Sequence, residues 1–371
     1  MSLIYNGTAV ERVVYNGEDL DGLYMNGTLV WSSIPTKATF IGGYTTRWGA
    51  SDTPLVAINK STLYDSDGAL VSSQDCGTAP GLYSAGAGVF GGTVVMGGYF
   101  EPVSNNSFWD SATGRGYKYN FDGVWVGGSS GYYYYIRLLH SGSRVNGVGI
   151  FYGNRDQFNP HNYQTSDYSL GWAEGGIVKL GSDLNYLNYA KPMLTNQQMK
   201  TSACSFGGLM LVYGGVEARN KDTGGYNLVP VSLTLRLNED MNQVGSQRSV
   251  SYGGTMSVGA CINNTGVFVQ SESPDIDPEG LEPQSGTPTR VVRVNSSGDQ
   301  VGVTREESYT TLTESASRHN NTMLVYGSLR FDAGSNVFSH RLRRFDSLGY
   351  TLGVQAFSDA TSRHSPVGSN Y

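Results

Sequence analysis

Three cysteines in 371 residues, Cys76, Cys204 and Cys261, are too few and too scattered to staple a small disulfide framework. They fit a chain folded in a reducing cytosol, which leaves a later life outside a cell open. Charged side chains make up only 15% of the sequence, and 25 basic residues face 31 acidic ones, a net charge of −6. A surface that tracks phosphates needs clustered Lys and Arg, so the balance argues against nucleic acid as a partner. Nothing approaches the run of about 18 apolar residues that a membrane-spanning helix requires, so no membrane insertion is expected. Met1–Gly7 lacks the basic and apolar regions of a secretory leader. Only five histidines are present, and there is neither a Gly-x-Ser-x-Gly elbow nor a phosphate-binding loop. No long stretch keeps the 3.6-residue rhythm and caps of a helix.

Glycine and tyrosine fill the space left by these shortages, 50 and 25 residues respectively. Both favour strands and tight turns. The glycines fall in a recurring phrase, an apolar strand running into a Gly-Gly doublet or its equivalent. The copies are Lys37–Thr46, Thr93–Tyr99, Val148–Asn154, Leu209–Gly215, the degenerate Gly266–Ser271, and Thr322–Ser328. Their marks stand at 42, 97, 153, 214, 270 and 327, so the steps are 55, 56, 61, 56 and 57. Self-similarity at one period of this length means radial repetition of strand-rich units. Six alternating strands accompany the doublets: 55–59, 117–121, 177–180, 233–237, 291–294 and 341–345. Turn residues such as Asp-Gly or Ser-Ser-Gly follow each.

The ends of the repeat do not match. It opens at residue 37 with a doublet strand and no blade before it, and closes after Gly368 with a blade lacking that strand. Letting the first strand complete the last blade closes a ring and removes two sheet edges. The expected fold is therefore all-β: a six-bladed β-propeller over residues 37–371, its N-terminal strand completing the last blade. A doublet glycine suits a strand end that turns out into a loop, because it tolerates positive φ.

Residues 1–33 form a different block with a ten-residue rhythm: Tyr5-Asn6-Gly7, Tyr15-Asn16-Gly17, and Asn26-Gly27 leading to Trp31. Asn-Gly between β-formers predicts hairpins with two-residue turns. About thirty residues bury little of their own surface, so the block needs a partner surface, on its own propeller or elsewhere.

Several residues are candidates for chemistry. Aligning the small-residue strand before each doublet matches Ser143-Arg144, Ser317-Arg318-His319 and Ser362-Arg363-His364, with Cys204 and Cys261 at one shared position. Arg144, Arg318 and Arg363 on one level, beside His319 and His364, would clamp a carboxylate or phosphate, or else hydrogen-bond neighbouring blades. Asp275, Asp277 and Glu279 sit in an acidic insert whose alternating oxygens suit Ca²⁺ or simply solvent. Tyr132–Ile136 would pack between blades or present a tyrosine face. Cys204 and Cys261 have too few companions for a metal and read as small fillers.

The doublets and the two Ser-Arg-His stretches resemble the kelch and galactose-oxidase-like propellers, a likeness that covers residues 37–371 and concerns architecture. The matching enzymes are not matched in their chemistry. Asn120–Trp125 is the closest approach to a sialidase turn and is wrongly spaced, and the histidines lack the pattern of a copper oxidase. No cofactor is implied. The Tyr-Asn-Gly repeats ending in Val30-Trp31 are similar to the N-terminal stretches of tailed-bacteriophage virion proteins. That resemblance implies a virion structural protein, made in the bacterial host cytoplasm and joined to other virion proteins through residues 1–33. A tail-associated adhesin touching a host surface receptor or glycan is the leading expectation. A capsid decoration or tail accessory protein and a glycan-acting propeller enzyme are the alternatives.

Overall fold

The computed structural model describes residues 4–5, 8–9, 14–15, 18–19, 22–25, 28–32, 38–41, 60–75, 86–90, 93–97, 116–120, 124–128, 138–146, 148–154, 175–181, 185–190, 198–199, 201–206, 208–220, 226–253, 256–271, 289–307, 312–319, 321–332, 337–357 and 367–368. All of its regular elements are strands. The N-terminal block forms three hairpins, β1 (Ile4–Tyr5) with β2 (Thr8–Ala9), β3 (Val14–Tyr15) with β4 (Glu18–Asp19), and β5 (Gly22–Met25) with β6 (Thr28–Ser32). Each closes around an expected Asn-Gly: Tyr5 pairs with Thr8, Tyr15 with Glu18 and Met25 with Thr28. None of these strands hydrogen-bonds to a described strand outside its own hairpin.

The first of the larger sheets uses β7 (Ala38–Ile41), β8 (Lys60–Tyr64) and β9 (Leu70–Asp75). Next come sheet 2, β10 (Gly86–Phe90) to β11 (Thr93–Gly97), β12 (Gly116–Asn120) and β13 (Trp125–Gly128), and sheet 3, β14 (Leu138–Val145), β15 (Val148–Asn154), β16 (Gly175–Leu180) and β17 (Tyr186–Ala190). A short strand β18 (Gln198–Met199) precedes sheet 4, whose strands are β19 (Ser202–Phe206), β20 (Leu209–Tyr213), β23 (Leu233–Leu237) and β24 (Arg248–Ser249). Between them β21 (Val216–Asn220) and β22 (Tyr226–Pro230) pair with β18 as a three-stranded side sheet. Sheet 5 is β25 (Met256–Ile262), β26 (Thr265–Ser271), β27 (Thr289–Val294) and β28 (Arg305–Glu307). Sheet 6 is β29 (Leu312–His319), β30 (Thr322–Asp332), β31 (Val337–Asp346) and β32 (Thr351–Phe357). The last strand, β33 (Val367–Gly368), returns to β7 and makes sheet 1 four-stranded in the order β33-β7-β8-β9. Five four-stranded sheets are thus continuous in sequence, and one is a composite of both chain ends.

The expected pairing of first and last strands is present, with Val367 opposite Ile41 and Gly368 opposite Phe40. The phase differs from expectation: β33 completes the first sheet, rather than β7 completing the last. The reason lies inside each sheet, where the alternating strand is third and the small-residue strand is first. The first alternating strand is also displaced. Sheet 1 places its third strand at Lys60–Tyr64, and residues 55–59 lie outside the described residues.

Two kinds of turn recur at one end of the sheets. First and second strands join through two residues, as in Val145 to Val148, Phe206 to Leu209, Ile262 to Thr265 and His319 to Thr322. Asn146, Asn263 and Asn264 adopt positive φ there, as such hairpins demand. Third and fourth strands join through a turn that begins with Asp or Asn. Oδ1 of Asp65, Asn238, Asn295 and Asp346 accepts hydrogen bonds from the backbone two and four residues on. The fourth turn residue is left-handed, which suits Gly68, Gly298 and Gly349, and Met241 takes the same conformation. We call this end the turn face. Longer connections, residues 42–59, 98–115, 155–174, 214–232 and 272–288, leave and re-enter at the opposite end, the loop face.

Side chains alternate along each inner strand, so one set meets the preceding sheet and the other the following sheet. Apolar clusters fill these seams. Ile150, Tyr152 and Ile177 of sheet 3 pack on Ala203, Met210 and Val212 of sheet 4. Ala260, Val267 and Val269 of sheet 5 pack on Ala316, Met323 and Val325 of sheet 6. Leu324, Tyr326 and Leu342 of sheet 6 pack on Ala38, Phe40 and Tyr64 of sheet 1. Near the turn face a basic residue on the third strand reaches the next sheet's turn. Lys179 pairs with Asp240 at 3.1 Å, and Arg236 donates to the Ser296 carbonyl at 3.4 Å. Arg344 of the sixth sheet donates to the Ser66 carbonyl at 2.8 Å and to Asp67 at 2.6 Å in the first.

Crowding on the inner strands is resolved by paired volumes. At the fourth position back from each two-residue turn, glycine faces phenylalanine or alanine faces a smaller or unbranched residue. The pairs are Gly142 with Phe151 and Gly259 with Phe268, against Ala203 with Val212, Ala316 with Val325 and Ala87 with Met96. A Cβ on Gly259 would stand 2.4 Å from the Phe268 ring. The chain-end pair, Gly368 with Phe40, follows the same rule.

Candidate functional site

The doublet position of each second strand marks where the chain leaves its sheet for the loop face. In sheet 4 it behaves as expected: Gly214 and Gly215 have φ of 71° and 87°, and the chain departs into the β21–β22 hairpin. In sheets 3 and 6 the strand instead runs on through Gly153 and Gly327. Register also puts Gly98, not Gly97, at the equivalent place in sheet 2. Sheet 5 is the exception in composition, because Gln270 occupies this glycine position and its side chain is fully buried.

Around Gln270 the loop-face end of sheets 4 and 5 gathers a polar and aromatic cluster. Gln270 lies opposite Arg290, and Arg290 opposite Glu306, so the three cross adjacent strands in one row on one face. The Arg290 guanidinium stands 4.2 Å from the centre of the Tyr252 ring and 3.7 Å from Glu306. Tyr213, last residue of β20, donates its hydroxyl hydrogen bond to the Tyr252 carbonyl. Its ring meets Phe268 edge-on at 4.9 Å. Burial pushes the Tyr213 phenol well above the ordinary tyrosine value, and the neighbouring Gln270 amide offsets part of that rise. Tyr213 therefore stays a neutral hydrogen-bond donor. Around the buried amide the cluster offers a guanidinium, a carboxylate and the Tyr252 ring, which is contact chemistry. Among the described residues no group of three or more His, Cys, Asp or Glu is placed to hold a metal ion.

Of the arginine triad expected from sequence, Arg144 and Arg318 fall among the described residues. The two share a level, each one residue before the end of its inner strand. Arg363 and His364 lie outside the described residues. Val367 faces Ile41 as Ser315 faces Tyr326, so the textual match of Ser362 with Ser317 is out of register by seven residues. Arg318 shares its face with Met323, which belongs to the cluster between sheets 5 and 6. It points into a seam, not toward an axial ligand, and is 8% exposed. His319 is buried beside the two-residue turn, where the Thr322 hydroxyl donates to its carbonyl at 2.9 Å. Cys204 and Cys261 are not equivalent either. Cys204 faces Leu211, three pairs from the turn counting the closing pair, and Cys261 faces Gly266, two pairs from it. The acidic insert with Asp275, Asp277 and Glu279, and the Tyr132–Ile136 run, lie outside the described residues.

Sequence reasoning missed the Tyr213, Tyr252, Gln270, Arg290 and Glu306 cluster. Its one visible signal was the degenerate doublet, where a glutamine interrupts a series of glycines. The two-residue turns Asn146-Gly147 and Gly207-Gly208 carried equally plain hairpin signals that the doublets overshadowed.

No family model matches this chain, and no curated protein matches it. Solved structures do: 415 chains match, which marks a widely used scaffold rather than one activity. Among them is the structure of YjhT, a kelch-like propeller, at 11% identity and a TM-score of 0.50, covering 85% of this chain and 97% of that one. The chain has an all-β, kelch-like β-propeller fold.

Proposed function

We propose that this protein is a tailed-bacteriophage virion component, a tail-associated adhesin whose N-terminal block docks to the particle. Its six four-stranded sheets would be the blades of one closed ring, a shape that imaging down the axis reads as six lobes. The observation that carries the reading is the opposition of two ends. β7 begins at the turn face, so the hairpins of residues 1–33 join the propeller on that side, and the longest connections leave the sheets from the other. Three Asn-Gly hairpins that, among the described residues, pair only within themselves suit a segment completed by another protein. The contact chemistry of Arg290, Glu306 and Tyr252 at the loop face suits a host envelope surface or glycan.

Binding without turnover is part of the proposal. Glycoside hydrolysis in most families uses two carboxyl groups flanking the bond, and the described cluster contributes only Glu306, already close to Arg290. The test uses the full chain and a form lacking residues 1–33. The full chain should bind host cells saturably, release no sugar, and co-purify with particles. The shortened chain should bind cells equally and be absent from particles. Normal incorporation of the shortened chain places attachment elsewhere, turnover of host glycan favours the enzyme reading, and absence of cell binding favours a decoration or accessory role.

A further inference from the structure

The two inner-strand cysteines meet. Cys204 lies on the side of sheet 4 that faces sheet 5, and Cys261 on the side of sheet 5 that faces sheet 4, because they stand one residue apart in register. Both belong to the same apolar cluster, with Phe206, Leu211, Tyr213 and Phe268 around them. Neither is in a disulfide, both are buried, and their sulfurs are 2.7 Å apart. That separation is inside ordinary non-bonded contact, and a disulfide at about 2.05 Å needs only a small further approach. Room at the pair comes from Gly266, opposite Cys261, where a Cβ would stand 2.8 Å from the Phe268 ring.

We propose that Cys204 and Cys261 are a latent disulfide site that locks the fourth sheet to the fifth when the folded protein meets hydrogen peroxide. One thiolate attacks a peroxide oxygen, the O–O bond breaks, and a sulfenic acid and water result. The second sulfur then attacks the sulfenic sulfur, the S–S bond forms, and the S–O bond breaks to release a second water. Two thiols lose two electrons, and one peroxide becomes two waters. A peroxide suits this site because it is small enough to enter a cluster that a bulky disulfide reagent cannot reach without opening the fold. The link would join residues 57 apart in sequence, a long enough loop to restrict the unfolded chain. It would form after a reducing site of synthesis is left behind.

The experiment takes the full chain, purified reduced and treated with hydrogen peroxide while folded. Thiols are then blocked under denaturing conditions and a non-reduced digest is read by mass spectrometry. The expected result is a peptide joining Cys204 to Cys261, loss of two of the three titratable thiols, and a melting temperature several degrees above that of the reduced protein. Cys204→Ser and Cys261→Ser should each show no oxidative rise, which separates the link from other effects of peroxide. The proposal is overturned if both thiols remain free after treatment. It is equally overturned if either reaches sulfinic acid without the link, or if the link forms to Cys76, between chains, or only in denaturant.

Discussion

The seam between sheets 6 and 1 and the seam between sheets 4 and 5 solve the same problem with different means of supply. Both sides of the second seam come from neighbouring stretches of chain. The first joins residues near 40 and 64 to residues near 325 and 342. Yet the closing seam has the same parts: a Phe on the second strand, an aromatic contact across it (Phe40 with Tyr326 at 5.7 Å) and a basic side chain laid over the next sheet's turn. Arg344 holds Asp67 and Ser66 as Arg236 holds Ser296. Closure therefore rests on a full side-chain interface, and the two residues of β33 are its smallest part.

The largest break of this equivalence is truncation. Removing residues 1–46 takes away β7 with its buried Ala38, Phe40 and Ile41, and cooperative thermal unfolding should be lost. Removing 1–33 should leave the melting temperature unchanged. Equal melting of the two truncations would show that β7 is dispensable to closure. Next in size, Phe40→Ala and Phe268→Ala should each cost about 3–5 kcal/mol in denaturant unfolding. A much smaller cost at Phe40 would make the closing seam the looser one. Gly259→Ala should cost about 1–3 kcal/mol by overpacking against Phe268. Adding Phe268→Val, which copies the Ala203–Val212 arrangement, should give a double variant more stable than the two single costs added together. Simple additivity would deny the volume coupling. Smallest of all, Arg344→Met at the closing seam and Lys179→Met at an internal one should each cost under about 1 kcal/mol, less in high salt, because Asp67 and Asp240 are well exposed.

The repeat was legible because backbone demands recur in composition. Doublet glycines, Asx turns such as Asn295–Asp299 and alternating strands such as Val291–Val294 each answer a local rule. The pairing of the chain ends followed from counting strands. Phase was not legible, because a cyclic order reads the same from any starting strand. Facing was harder still. Ser-Arg-His at 317–319 and 362–364 match as text, and only register shows that β33 begins at Val367. A shift of one residue likewise turns Cys204 and Cys261 from equivalents into neighbours across a seam. The cluster around Gln270 depends on residues from four strands and a connection, and no short window contains it.

The position of β7 has a mechanical consequence. A particle-borne protein hung from residues 1–33 would carry tension into β7 from its turn-face end, along the strand. β7 has hydrogen-bonded neighbours on both sides, β33 and β8. Antiparallel ladder bonds lie across the strand direction, so a lengthwise pull loads them together in shear and does not peel them one at a time. Had the N-terminal strand been at an outer edge, it would have had bonds on one side only. Such a tether would instead enter between two strands, so drag on the loop face would load the sheet that β7 and β33 share.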